Sequence, residues 1–227
     1  MKISLRTISA ACLVVLLTVA NVQAADTAPA LAVAAIKSPI ELCVVAAHAR
    51  YQTVIDAAES QQVRDSQASQ PPATDVVDPN NPVKILGRWL PVSNTQQDWK
   101  QLGFKTRERR LKPTDEKSSL ELLVAANDDD IRLADFKSFK SGVDFNGTPC
   151  VDFAMTDAGA TRLRRLTSAH LPKDGAYFHL AIVIHGKILS APRLQDVVGD
   201  RGQISGNFTA EEVEKLIQSF EAAAGRK

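Results

Sequence analysis

Four histidines, His48, His170, His179 and His185, are the side chains best suited to proton transfer or metal binding near neutral pH. Their spacing supports neither role. His179 and His185 stand at opposite ends of one strand-like run, ~20 Å apart at ~3.3 Å per residue, so they cannot share an ion. The acidic run Asn127-Asp128-Asp129-Asp130 lacks the glycine and distal glutamate of a calcium loop. It reads instead as the cap and first turn of a short helix over Ile131–Phe136, with carboxylates at the positive end of the helix dipole. Asp152, Asp157 and Asp196 could be paired for glycosidic chemistry, but nothing in their positions singles out a pair. The chain carries no GxSxG elbow, P-loop, HExxH or dinucleotide fingerprint. In GDRGQISGN, Gly199, Gly202 and Gly206 with Ser205 could cradle an anion through backbone amides ahead of a helix. The plainer reading is a tight loop returning to a sheet. No catalytic, cofactor-binding or metal site is predicted.

The elements that would position any site are clearer. Leu180–Ile184 and Lys187–Leu189 flank His185-Gly186, which fits a two-residue primed turn because glycine accepts positive φ without steric cost. That turn sets Ile184 opposite Lys187 and Ile182 opposite Leu189. Leu180, Ile182, Ile184 and Leu189 then share one face and Ala181, Val183 and Ile188 the other, so this pair belongs in a sheet covered on both sides. Glu41–Ala46, Val83–Val92 and Ser119–Ala126 read as further strands. Phe139–Phe145 and Cys150–Met155 form a hairpin through Asn146-Gly147, with Pro149 opening the second strand.

Three helices follow from periodicity and capping. Tyr51, Val54, Ile55 and Ala58 make one apolar stripe, and Ala160, Leu163 and Leu166, capped by Thr156, make a second. Thr209-Ala210-Glu211-Glu212 is a capping box, with Phe208 and Val213 as its hydrophobic staple. Val213, Leu216, Ile217 and Phe220 form the stripe of that third helix, and Gly225 stops it. Gln61–Pro82 is rich in Gln, Ser, Asp, Asn and Pro, which predicts a flexible surface insertion. The basic cluster Thr106–Lys112 reads as a solvated strand or turn, and Arg162, Arg164 and Arg165 as a wet helix face. The fold class expected is α+β, a mixed or antiparallel sheet with helices packed on it.

Length and charge set the limits. With 227 residues and 44% hydrophobic content, the chain can bury one real core. Lys+Arg 27 against Asp+Glu 26 leaves no global field to attract nucleic acid. Residues 1–24 have the grammar of a cleaved signal peptide: Lys2 and Arg6, the apolar run Ala10–Ala20, and Val22-Gln23-Ala24 as a small-x-small site. Cys12 lies within that segment, which argues against lipid attachment. Residues 25–39 read as a flexible leader and 40–223 as the domain, with no membrane span after the signal and a periplasmic or secreted location. Cys43 and Cys150 then form an even pair in an oxidising compartment, either bridged or buried as free thiols.

A family resemblance enters at Cys150–Thr209. The order NGTPCVDFAMTDAGATRLRRLT, HLAIVIHGKILSAPRLQ, GQISGNFTAEEVEKL resembles the head subdomain of the first periplasmic domain of SecD, of the bacterial protein-export machinery. The matching positions are Gly147, Pro149, Val151 and Phe153; Asp157, Gly159 and Ala160; Ala181–Lys187 with Ser190-Ala191-Pro192; and Gly202–Thr209. His185 stands where that family usually has Asp. The resemblance extends weakly back to Ile40, while the membrane helices and base subdomain of a full SecD are not found. It implies a non-catalytic exported binding module, without cofactor, for unfolded or extended polypeptide or a cell-envelope protein. Ser190, Pro192, Arg193, Gly202, Gln203, Gly206 and Asn207 are the candidate partner-binding residues. Edge strands would offer β-augmentation and an apolar groove would offer pockets. Two alternatives stay open: a structural envelope protein tethered through Gln61–Pro82, and a secreted hydrolase using the glycine loop and nearby acids.

Overall fold

In the computed structural model the chain is described over residues 38–47, 49–67, 72–93, 98–110, 118–173 and 175–226. The expected signal peptide and residues 25–37 of the expected leader lie outside these. Pro39, the leader's last residue, is anchored: its carbonyl accepts from the His185 amide at 2.9 Å.

The organising element is a four-stranded antiparallel sheet in the order β10-β9-β1-β6. Its strands are β1 (Ile40–Val44), β6 (Ile131–Arg132), β9 (Leu180–Ile184) and β10 (Lys187–Ser190). All five residues of β1 and of β9 are buried, as strands covered on both faces must be. On one side Leu42, Val44, Leu180, Ile182 and Ile184 join the larger core cluster. On the other Cys43, Val45, Ala181, Val183 and Ile188 join a second cluster.

The second side is covered by a sheet in the order β2-β3-β5-β4, formed by Asp75–Asp78, Asn81–Pro91, Ser119–Ala125 and Thr106–Arg109. Leu90, Leu122 and Val124 face the central sheet, while Trp89, Leu123 and Ala125 face helix α1 (Gln52–Gln67). The first side is covered by a third sheet, β11-β8-β7, comprising β7 (Phe136–Val143), β8 (Pro149–Met155) and β11 (Arg201–Ile204). Helix α2 (Asp157–Ser168) packs on β6 and β8, and α3 (Ala210–Ala223) on β7 and β8. The architecture is α+β with antiparallel sheets, as the sequence predicts.

Local signals hold where their physics is short-range. His185 and Gly186 both have positive φ, 48° and 74°, the signature of a type I′ turn. Thr209 accepts from the Glu212 amide at 3.2 Å and Glu212 caps the Thr209 amide at 2.8 Å. At the other end of α3 the Arg226 amide donates to Glu221 and Gly225, with φ 68°, donates to Ala222, a Schellman motif. The hairpin register differs from expectation. Lys187 pairs with Ile184, but a bulge at Leu189 sets Ser190, not Leu189, opposite Ile182.

Three further expectations are corrected. Gln61–Pro82 is not one flexible insertion: α1 continues to Gln67, and Asp75–Asp78 pairs with β3. Polar side chains do there what apolar ones do elsewhere, since Gln61 donates to the Asp75 carbonyl at 2.9 Å and Asp65 accepts from the Ala73 amide at 3.2 Å. The basic strand β4 is not simply solvated. Arg107 is buried, bonds Glu121 at 2.7 Å and lies 4.7 Å over Trp89. Asn127–Asp130 turns into β6 and a single 3-10 turn, Leu133–Asp135, rather than capping a helix over Ile131–Phe136. Of the two readings open for the cysteines, the structure has the second: Cys43 and Cys150 are buried free thiols. Cys43 belongs to the cluster between the first two sheets, whereas Cys150 lies on β8 of the third sheet beside Asp152, so the fold does not present them to each other.

Candidate functional site

The first and third sheets diverge around a cleft of about 320 Å³. Its floor is apolar because strand alternation sends Leu42, Leu180 and Ile182 from the central sheet, and Phe153 and Ile204 from the third, toward the same space. Its wall is the segment 192–198. That wall is fixed at both ends: the Leu180 amide donates to Pro192 and the Leu194 amide to Phe178, at 3.0 and 2.9 Å, and the Val198 amide donates to Thr167 Oγ1 at 3.1 Å. Within the wall Leu194 turns inward and is buried, whereas Val197 is 39% exposed.

Of the predicted partner-binding residues, the structure brings Pro192, Arg193, Gly202 and Gln203 to this cleft. Ser190 ends β10, and Gly206 and Asn207 lie beyond β11 at the entry to α3; none of the three lines it. GDRGQISGN is not an anion-cradling loop, because Arg201–Ile204 is a strand paired with β8. Gly202 is required there for close approach: a Cβ would sit 2.5 Å from Cζ of Phe153. Phe153, itself edge-on to Phe136 with centroids 5.3 Å apart, thereby reaches under the edge strand and floors the cleft. Sequence reasoning passed over Phe153, Leu180 and Ile182 as lining residues. Their alternation was legible, but not the gap between two sheets that leaves them partly uncovered.

The titratable side chains lining the cleft are Arg193 and Asp196. Arg193 stacks its guanidinium 4.7 Å over the Tyr177 ring at the rim. The histidines do not converge. His179 packs edge-on to Phe104 at 4.7 Å, and burial, with Arg193 adding to it, pushes its pKa down. His170 is buried, accepting from Tyr51 at 2.5 Å and bonding the Leu166 carbonyl at 2.6 Å, with its pKa lowered by burial. His185 is exposed at its turn, and His48 lies outside the described residues. Among the described residues no three His, Cys, Asp or Glu side chains gather as a metal would require. The arrangement can shelter apolar side chains beside a strand edge. It does not set a nucleophile against a base.

The comparisons with known proteins follow the same region. The chain is 39% identical over 82 residues to the protein translocase subunit SecD of Aquifex aeolicus, covering 36% of this chain and 15% of that protein. It is 35% identical over 79 residues to SecD of Sebaldella termitidis, covering 34% and 18%. The aligned part thus spans less than a fifth of those relatives' length. A solved chain described as a membrane component SecDF that enhances protein export aligns at 17% identity and TM-score 0.42, over 97% of this chain and 72% of that one. A family model described as SecDF, P1 head subdomain, matches residues 110–224. Together with the β8–α2–β9–β10–β11–α3 order, that match places the chain in the SecDF P1 head subdomain family.

Proposed function

We propose that this chain is an exported, non-catalytic binding module that holds extended segments of unfolded polypeptide during protein translocation. The observation that carries the reading is the apolar cleft beside β11, which lies at the edge of its sheet. An extended peptide laid along such an edge gains main-chain hydrogen bonds from the strand, while alternate side chains enter a groove, so affinity needs little sequence specificity. Family membership and the translocase names of the relatives support the export setting. The signal-like residues 1–24 support delivery across the inner membrane, and among the described residues no helix is long and apolar enough to cross a membrane.

A photo-crosslinking amino acid at Val197 tests the proposal directly. Mixed with reduced, carboxymethylated α-lactalbumin, this variant is expected to crosslink strongly, whereas the same probe at exposed Phe145, on the distant β7–β8 loop, crosslinks weakly. Filling the cleft with Val198→Trp should lower the Val197 yield several-fold. Equal yields at the two positions, or equal yields from folded and unfolded lactalbumin, would refute it.

A further inference from the structure

The outward side of the third sheet carries a second concave surface, a groove of about 560 Å³ that meets the cleft at the edge strand β11, where Phe153, Gly202 and Gln203 line both. Strand register builds it. Ser138, Ala154 and Arg201 form one cross-strand row, and Lys140, Asp152 and Gln203 the next. These residues alternate with Phe139, Phe153 and Ile204, which point into the core, so the rows line the outward face. Small Ser138 and Ala154 make the floor, while Lys137, Lys140 and Arg201 make the walls. The three cations are exposed, and among the described residues none of them forms an ion pair.

Asp152, the carboxylate in the groove, does not neutralise them. Its Oδ1 accepts from Gln203 at 2.8 Å, and it leans over Gly142, where a Cβ would lie 2.4 Å from Oδ2. Asp152 is also the cross-strand partner of Lys140, so one carboxylate stands among three cations and the groove as a whole stays positive. Arg201 stands on β11 and the lysines on β7, two strand spacings or ~10 Å apart. A single small anion cannot reach both walls. Carboxylates two or three residues apart on an extended chain, at ~3.3 Å per residue, can. A flat anionic membrane is the poorer fit, because the floor between the cations is recessed.

We infer that this outward groove docks an acidic, extended polypeptide segment, with Lys140 and Arg201 as the charge-reading residues. The inference rests on the outward rows of β7, β8 and β11, which the apolar cleft shares only at Gln203, and it does not depend on peptide binding in the cleft.

The test uses fluorescence anisotropy of the full chain with dye-labelled nonapeptides alternating Val with Glu, Gln or Lys. The Glu peptide is expected to bind with an affinity that falls as salt is raised, and the Gln peptide roughly tenfold more weakly. Lys140→Gln with Arg201→Gln should remove that preference. So should Ala154→Trp, which fills the floor and keeps the charges. Lys140→Glu with Arg201→Glu should transfer the preference to the Lys peptide, a gain that a misfolded protein cannot show. Crosslinking at Val197 to unfolded lactalbumin should be unchanged in all three variants, which separates failure of this groove from failure of the cleft. Equal binding of Glu and Gln peptides overturns the inference. So does binding to phosphatidylglycerol vesicles that is tighter than to the Glu peptide and indifferent to Ala154→Trp.

Discussion

Asp130 illustrates how far a residue's role can depart from its type. In the sequence it closes an acidic run that reads as a helix cap; in the fold it is 6% exposed, accepting from the Asn127 amide at 3.2 Å and the Asn127 side chain at 3.5 Å. Burial holds its pKa up at about 6 despite the pull of Arg88, which itself bonds Glu41 at 2.7 Å. The ordinary carboxyl value is 3.8, so the folded state binds this proton more tightly than the unfolded state. Its contribution to stability is therefore full below about pH 4 and is lost as pH rises through about 6. At neutral pH an ionised Asp130 weakens the fold. Asp130→Asn is expected to raise unfolding free energy by about 1–3 kcal/mol at pH 7.5. That gain should close toward zero at pH 4. Urea unfolding at the two pH values measures it, and a gain that does not change with pH would refute the account. His170 runs the other way: its lowered pKa makes its contribution present above pH 6.5 and lost on acidification below that value.

Among the elements, α3 was the most legible because its signals are all within one turn of its own ends. The Thr209–Glu212 box, the Schellman stop at Gly225 and the stripe ending in buried Phe220 require no knowledge of the rest of the chain. Thr209→Ala should cost about 1 kcal/mol and lower Tm by a few degrees. Faster amide exchange confined to the first turn of α3 would accompany it. An unchanged Tm would mean that docking on β7 and β8 alone fixes the helix. By contrast α1 runs on to Gln67, seven residues into the expected insertion that begins at Gln61. Its last turns are held by Gln61 bonding Asp75 and by Asp65 bonding Ala73, polar contacts that a hydrophobic pattern cannot register. The same holds for β4. TRER looks wet until Glu121 on β5 is set beside it, accepting from Arg107 at 2.7 Å and Arg109 at 3.4 Å.

At the scale of the whole molecule, the central sheet is sandwiched between two others, and this separates the cysteines. Burial raises both thiol pKa values, with Asp152 adding to the rise at Cys150. Mass measurement of the non-reduced chain, alkylated under denaturing conditions, should find Cys43 and Cys150 both modified, and Tm should not move with dithiothreitol. A mass showing both protected would overturn the present topology. The sequence by itself determined the α+β class, the I′ hairpin, the cap at Thr209 and the resemblance to the SecD head. Each rests on backbone sterics, capping or alternation within about ten residues. Only the tertiary structure decided that Phe153, Leu180 and Ile182 floor a cleft, that Gly202 admits the Phe153 ring, and that Lys140 and Arg201 share an open face. Those facts arise where strands distant in the chain meet in a particular register, and a one-residue change of register would send every one of those side chains to the other side.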